Sequence, residues 1–266
     1  MAETTPLDSA LRQIQARPDD AALRLRFHAE LLNSELFVLL IDEARDGQLS
    51  PRVFDLDEGR AVLAFDSEAR MVDFAGQAVV YAALPGRVLV PMLAEAGAGL
   101  SLIVNAGAAH AEQLPPAALE WLAATLAAPA PAEDEAVAEG FGPVALPEAK
   151  LALLIPALER RLSGVPGLQA AVLAGVRWRG GGQGQVLALA GVAEPVRPAL
   201  ARAVAEALEM SGLEDGTLDV IFPSSAAMAR IAGVGRRLNP AAFVMPEDRE
   251  PSINIGRDPD RPPRLR

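Results

Sequence analysis

The chain contains no cysteine. That excludes disulfides, thiol nucleophiles and every zinc site that depends on thiolates. Histidine is nearly absent too, with only His28 and His110 in 266 residues. A metal site would have to be built from carboxylates, and these are scattered without ligand-like spacing. Lysine occurs once, as Lys150, so nearly all positive charge is arginine; this reads as a composition bias and not as phosphate recognition. No apolar run approaches the ~18 residues of a membrane span, and the richest, "ELFVLLI" at 35–41, is strand length. The acidic N-terminus "MAETTPLDSALRQIQ" lacks the apolar segment of a secretory signal. The sequence predicts a soluble, cytoplasmic protein with no cofactor.

What is present fills cores. Hydrophobic residues make up 51% and aromatics only 4%, with much of the apolar content alanine, so the packing is light and helix-friendly. The net charge is −11, with no clustered positive field of the kind a nucleic acid or an anionic membrane surface requires. Neither is an expected partner. Residues 1–130 hold 18 acidic and 9 basic residues, and residues 131–266 hold 17 and 15. That asymmetry suggests two units with different surfaces.

Periodicity places the elements. Helical spacing covers 7–16 and 19–33, with Pro18 between them, and the strand at 35–41 follows. Asp46-Gly47 marks a turn. Residues 52–57 and 60–65 form a predicted hairpin through Glu58-Gly59. Then come a helix at 67–75, a strand at 78–84, a helix opened by Pro85, a strand at 100–107 and a helix at 115–127. The second unit reads as helix 147–163, strands 168–178 and 185–191, helix 195–211, strand 217–222 and helix 225–234. The predicted fold class is α+β: two small domains, 1–128 and 146–243, with mixed or antiparallel sheets covered by helices. An acidic Pro/Ala linker at 129–145 joins them, and 244–266 forms a tail.

Each motif with chemical potential has a structural alternative. Asp66, Ser67 and Glu68 follow a strand and open a helix, where capping oxygens and an acidic first turn are favoured. No nucleophile elbow surrounds Ser67. "GGGQG" at 180–184 leads into a strand, not a helix, which predicts a hairpin turn and not a phosphate cradle. His28 reads as a partly buried or interfacial helix residue, and Trp121 as core. His110 lies in a loop after a strand end, where Asn105, His110 and Glu112 could converge on a small ligand. Trp178, flanked by Arg177 and Arg179, has the composition of a binding surface, with packing on a neighbour as the alternative.

"LRLRFHAELLNSELFVLLI", "RAVLAFDSEARMVDF" and "LSLIVNAG" followed by "QLPPAALEWL" resemble the SseB family, named for enhanced serine sensitivity. "PALERRLSGVPGLQAAVLAGV" and "LEDGTLDVIFPSSAAMARI" are similar to its smaller C-terminal domain. Asp66 stands where that family usually has Thr, and Ala106 where it usually has Pro. Both replacements keep turn and cap chemistry. The resemblance brings no catalytic residues. The expected function is a non-catalytic binding or regulatory module acting through protein–protein contacts, with Arg177, Trp178, Arg179 and the tail after Met245 as contact residues. The alternative is a small-metabolite sensor, an amino acid being suggested only by the family name, with its pocket at Asn105 to His110. An enzyme using Asp66, Ser67 or His110 is the remaining class.

Overall fold

The computed structural model describes residues 4–43, 49–57, 59–97, 99–129, 136–211 and 218–242. The Asp46-Gly47 turn, Glu58 and the tail lie outside the described residues. Two mixed sheets carry the fold, which is α+β as the sequence predicts. In the first unit, α1 (Pro6–Ala16) and α2 (Ala21–Asn33) start on caps: Thr5 Oγ1 accepts the Asp8 N–H, and Asp20 Oδ1 accepts the Leu23 N–H.

The chain then forms β1 (Glu35–Leu39), β2 (Val53–Leu56), β3 (Gly59–Phe65), α3 (Glu68–Ala75), β4 (Tyr81–Pro85), α4 (Gly86–Glu95), β5 (Leu100–Val104), β6 (Glu112–Leu114) and α5 (Pro116–Ala127). The sheet order is β4-β1-β3-β5-β6, with β2 folded back on β3 as the predicted hairpin. Only β3 and β5 run parallel; the other pairs are antiparallel. Strand alternation divides the side chains between two faces. Leu36, Val38, Val62, Ala64, Leu102 and Val104 face α1, α2, α4 and α5 in one continuous core. Leu39, Leu63 and Phe65 face the other way, toward Met71 of the short α3.

One contact fixes how the helix layer sits. β4 passes directly into α4 at Gly86, whose N–H donates to the Ser34 carbonyl at 2.9 Å. A Cβ on Gly86 would lie 2.0 Å from the Leu31 carbonyl oxygen. Backbone, not a movable side chain, occupies that space, so only glycine allows α4 to approach α2 this closely.

The second unit consists of β7 (Ala138–Gly142), α6 (Glu148–Leu162), β8 (Ala170–Trp178), β9 (Gln183–Ala190), α7 (Arg197–Glu209), β10 (Leu218–Ile221), α8 (Ser225–Ala232) and β11 (Arg236–Leu238). Its order is β10-β9-β8-β11, with β7 also paired to β8. α6 and α7 cover one face and α8 the other. The 179–182 segment is a hairpin turn, with Gly180 and Gly181 at positive φ.

Several expectations need correction. Residues 138–142, expected within the linker, form β7, which pairs antiparallel with β8 through a register shift between Ala138 and Gly140. Opposite it, a Cβ on Gly175 would lie 2.6 Å from the Pro143 carbonyl oxygen. The three-residue strands β6 and β11 were too short to carry a period. Trp121 is 37% exposed and not core. Leu119, Leu122 and Thr125 are the buried residues of α5, a helix so apolar all round that periodicity does not select its inward face.

His28 is buried, as expected, with its ring 5.6 Å from that of Phe27 and 5.7 Å from that of Trp121. Burial, helped by the nearby Arg24 charge, pushes its pKa down to about 4.

Two outcomes are expected. Gly86→Ala should destabilise the chain by about 2 kcal/mol or more in urea unfolding, whereas Gly233→Ala, with 3.5 Å to its nearest neighbour, should cost far less. Second, unfolded His28 titrates near ~6.5, so between that pH and about 4 the unfolded state holds the extra proton. Stability is full above the unfolded pKa and falls as pH drops, by about 3 kcal/mol at pH ~4. Urea curves of wild type and His28→Gln at about pH 7 and pH 4.5 check this: the variant should lose the component, and parallel pH dependences would remove His28 as its source.

Candidate functional site

β3 and β5 end side by side, and the chain leaves β5 through Asn105. This residue is 0% exposed and has φ of 57°, the only non-glycine at positive φ among the described residues. Asparagine tolerates that left-handed conformation better than other branched or bulky residues. Its N–H donates to the Ala64 carbonyl at 2.8 Å, its carbonyl accepts the Ala108 N–H at 3.0 Å, and its Oδ1 accepts the Asp66 N–H at 3.0 Å. Its Nδ2 has no protein partner among the described residues. Asn105 thus ties the two parallel strand ends together from inside.

Asp66 and Ser67 divide the work expected of the turn between them. Ser67 is the N-cap of α3, its Oγ accepting the Arg70 N–H at 3.3 Å. The Asp66 carboxylate instead takes the Arg70 guanidinium and the Thr5 hydroxyl. Arg70 also reaches Asp8 Oδ1 at 3.2 Å. The network joins the start of α1 to the start of α3 across the strand ends. Ser67 Oγ is a cap acceptor and the carboxylate beside it is already paired, so the turn has no free base to activate a nucleophile.

His110 is placed differently from the expectation of convergence. Its Nδ1 lies 2.6 Å from Gln15 Oε1, and Gln15 Nε2 donates to the Ala111 carbonyl at 3.1 Å. The pair pins the 106–111 loop to α1. A cleft of about 370 Å³ lies beside this loop, bounded by Asp8, Arg70, Asp73, Phe74 and His110. Asn105 lies outside its lining. Glu112 begins β6, where burial pushes its pKa up. Among the described residues, no cluster of acidic or imidazole side chains could hold a metal ion, and no helix is long and apolar enough to cross a membrane.

The second predicted group sits in the other sheet. Trp178 ends β8 half-buried, in the same cluster as Ala138 and Phe141 of β7, which is the packing arrangement given as its alternative. Arg177 is exposed, 3.7 Å from Glu139, and Arg179 donates its N–H to the Val137 carbonyl. The contact residues proposed after Met245 lie outside the described residues.

Sequence reading missed the feature that stands out most. Among the described residues, the face of the first sheet opposite the four helices is covered only by the eight-residue α3. Strand register brings Phe37, Phe54, Leu56 and Tyr81 onto this face with Leu39 and Leu63. Phe65 and Phe74 meet there at 5.2 Å between ring centroids, and Phe37 and Tyr81 at 5.9 Å. Five of the chain's 11 aromatic residues therefore collect on one thinly covered face. Ile41, Leu56, Phe74 and Tyr81 are 57%, 42%, 42% and 38% exposed. The signal was in the sequence, but only the pairing register assembles it.

Residues 7–121 match the family model described as SseB protein N-terminal domain. No curated protein and no solved structure matches the chain. The matched segment contains all of α1 but Pro6, α2 to α4, β1 to β6 and the first half of α5, and so includes the Asn105 network except Thr5, and the open face.

Asn105→Ala should destabilise the protein by about 2–3 kcal/mol, combining a lost hydrogen bond with left-handed backbone strain. Asn105→Gly removes only the bond and should cost about 1 kcal/mol. Urea unfolding of both variants checks the order; equal losses would show that the backbone conformation is not the constraint.

Proposed function

The chain belongs to the SseB family through its N-terminal domain, and we propose that it is a non-catalytic binding module that engages a protein partner on the open face of its first sheet. The observation that carries this reading is the gathering of Phe37, Phe54, Phe74 and Tyr81 with exposed Ile41 and Leu56 on a face that α3 covers incompletely. Exposed aromatic and aliphatic groups in one patch lose free energy in water and recover it against a complementary surface. The rigid backing of four helices keeps the patch preformed.

Charge narrows the partner. Asp42, Glu43, Asp57, Glu68 and Asp73 are exposed on the segments that frame the face, against Arg52 and Arg60. A basic amphipathic segment of another protein complements such a patch, its apolar residues on the aromatics and its cations at the acidic rim. The paired state of Asp66 and the capping role of Ser67 support the absence of chemistry at the strand-end turn. The metabolite alternative at this loop has less support, because Asn105 Oδ1 already accepts the Asp66 N–H, His110 Nδ1 already meets Gln15, and Asn105 does not line the cleft beside His110.

The test compares full-length wild type with Ile41→Glu/Leu56→Glu as bait. Wild type should retain a basic partner that about 1 M salt releases, since that ionic strength shortens screening to about 3 Å. The double variant should lose it with its melting temperature essentially unchanged, both positions being exposed. Retention of the same partner by the double variant would overturn the reading.

A further inference from the structure

α2 of the first unit meets α6 and α7 of the second across a cleft of about 310 Å³. The two units are joined firmly there. Met210, just past α7, is 3% exposed and packs within the core of the first unit. Arg161 of α6 pairs with Glu206 of α7 and donates to Asn33 Oδ1 of α2 at 3.2 Å. Arg87 of α4 reaches the same Glu206 at 3.1 Å, and Arg160 pairs with Glu30.

The charges do not balance. Among the described residues, Arg26, Arg160 and Arg161 line the cleft with one carboxylate, Glu30, while Glu206 behind it pairs with Arg161 and Arg87, in a chain whose net charge is −11. Glu206 serves two guanidiniums at once, and Arg26 on the cleft wall has no acidic partner among the described residues. Burial first, and then the neighbouring Arg87 and Arg160 charges, lower the Arg161 pKa to about 10. The rest of the wall carries two neutral polar residues, Asn33 and Ser211, and is otherwise apolar, with Leu153, Pro156 and Met210 among its residues.

We propose that this cleft binds a small organic carboxylate, its carboxyl group held by Arg26 and Arg160 and its hydrocarbon part against Leu153, Pro156 and Met210. The guanidinium fork matches a planar carboxylate in bidentate fashion. α2, α6 and α7 all end near the cleft, at Asn33, Leu162 and Glu209. Their C-terminal ends place partial negative charge behind the arginines. That tempers the surplus, so a singly charged carboxylate suits the site better than a compact phosphate dianion. The volume is at the low end for a ligand site, which limits the guest to a small acid. Because Arg26 and Arg160 belong to different units, the bound acid bridges them.

Sodium butyrate is the probe: a carboxylate with a short apolar chain. The melting temperature of the full chain is followed against butyrate at constant ionic strength, with sodium chloride and sodium phosphate as parallel series. A saturable rise with butyrate is expected, exceeding that with chloride or phosphate. Arg26→Gln, at an exposed and unpaired position, should fold normally and lose at least half of the butyrate-induced shift, and Arg160→Gln should do the same. An equal rise with chloride would reduce the effect to screening and overturn the proposal. A larger rise with phosphate would overturn the ligand class, and an undiminished shift in Arg26→Gln would overturn the site.

Discussion

The first unit depends on a single buried side chain in an unusual conformation. β3 and β5 are the only parallel pair in their sheet, and parallel strands end without a tight turn to hold them in register. Asn105 supplies that closure with its backbone bonds to Ala64 and Ala108 and its side-chain bond to the Asp66 N–H. From Asp66 the network continues to Arg70, Asp8 and Thr5. The entry of α3 and the start of α1 are therefore set by the same few polar groups that end the strands. A buried ion pair adds little net stability once desolvation is counted, but it admits few alternative arrangements. Here it specifies where two helices begin.

That specification has a consequence for the surface. The network orients α3, yet α3 is only eight residues long and cannot cover a sheet of this width. The opposite face has four helices and a continuous core. Aromatic side chains carry large buried area at small entropy cost, and a sequence with so few of them would be expected to use them in that thick core. Of the large rings only Phe27 belongs to it; five others gather on the thin side. Stability alone does not favour that distribution, which is why the face is read as a contact surface.

How much of this was legible varies with the range of the interaction. The Ser67 cap, the Pro18 break, the β2–β3 hairpin and the glycine turn after Trp178 are local, and local rules read them. β7 was lost because Ala138, Gly140 and Gly142 look like linker, and only the pairing with β8, where the backbone at Pro143 comes within 2.6 Å of a Cβ built on Gly175, makes the segment a strand. Trp121 was assigned inward because α5 offers apolar residues on every side. The pairing of Asp66 with Thr5 spans 61 residues, and that of Arg160 with Glu30 spans 130. No spacing rule reaches so far. Asn105 was singled out from its loop position, but its actual role, a left-handed residue bonding a neighbouring strand end, follows only from register.

The two surfaces lie on different layers of the first unit. The α2, α6 and α7 cleft belongs to the helix layer, and the aromatic face to the far side of the sheet. A molecule in the cleft cannot touch a partner on the face. An influence of one on the other can pass through α2, through α4 by way of Arg87, or through the core at Met210, and α4 and α2 are in close backbone contact at Gly86, Leu31 and Ser34. Coupling through such a link is reciprocal: whatever free energy a ligand contributes to partner binding, the partner contributes to ligand binding. A joint between units made by Met210 in the first core and by a carboxylate shared between Arg87 and Arg161 is the contact through which such coupling would run.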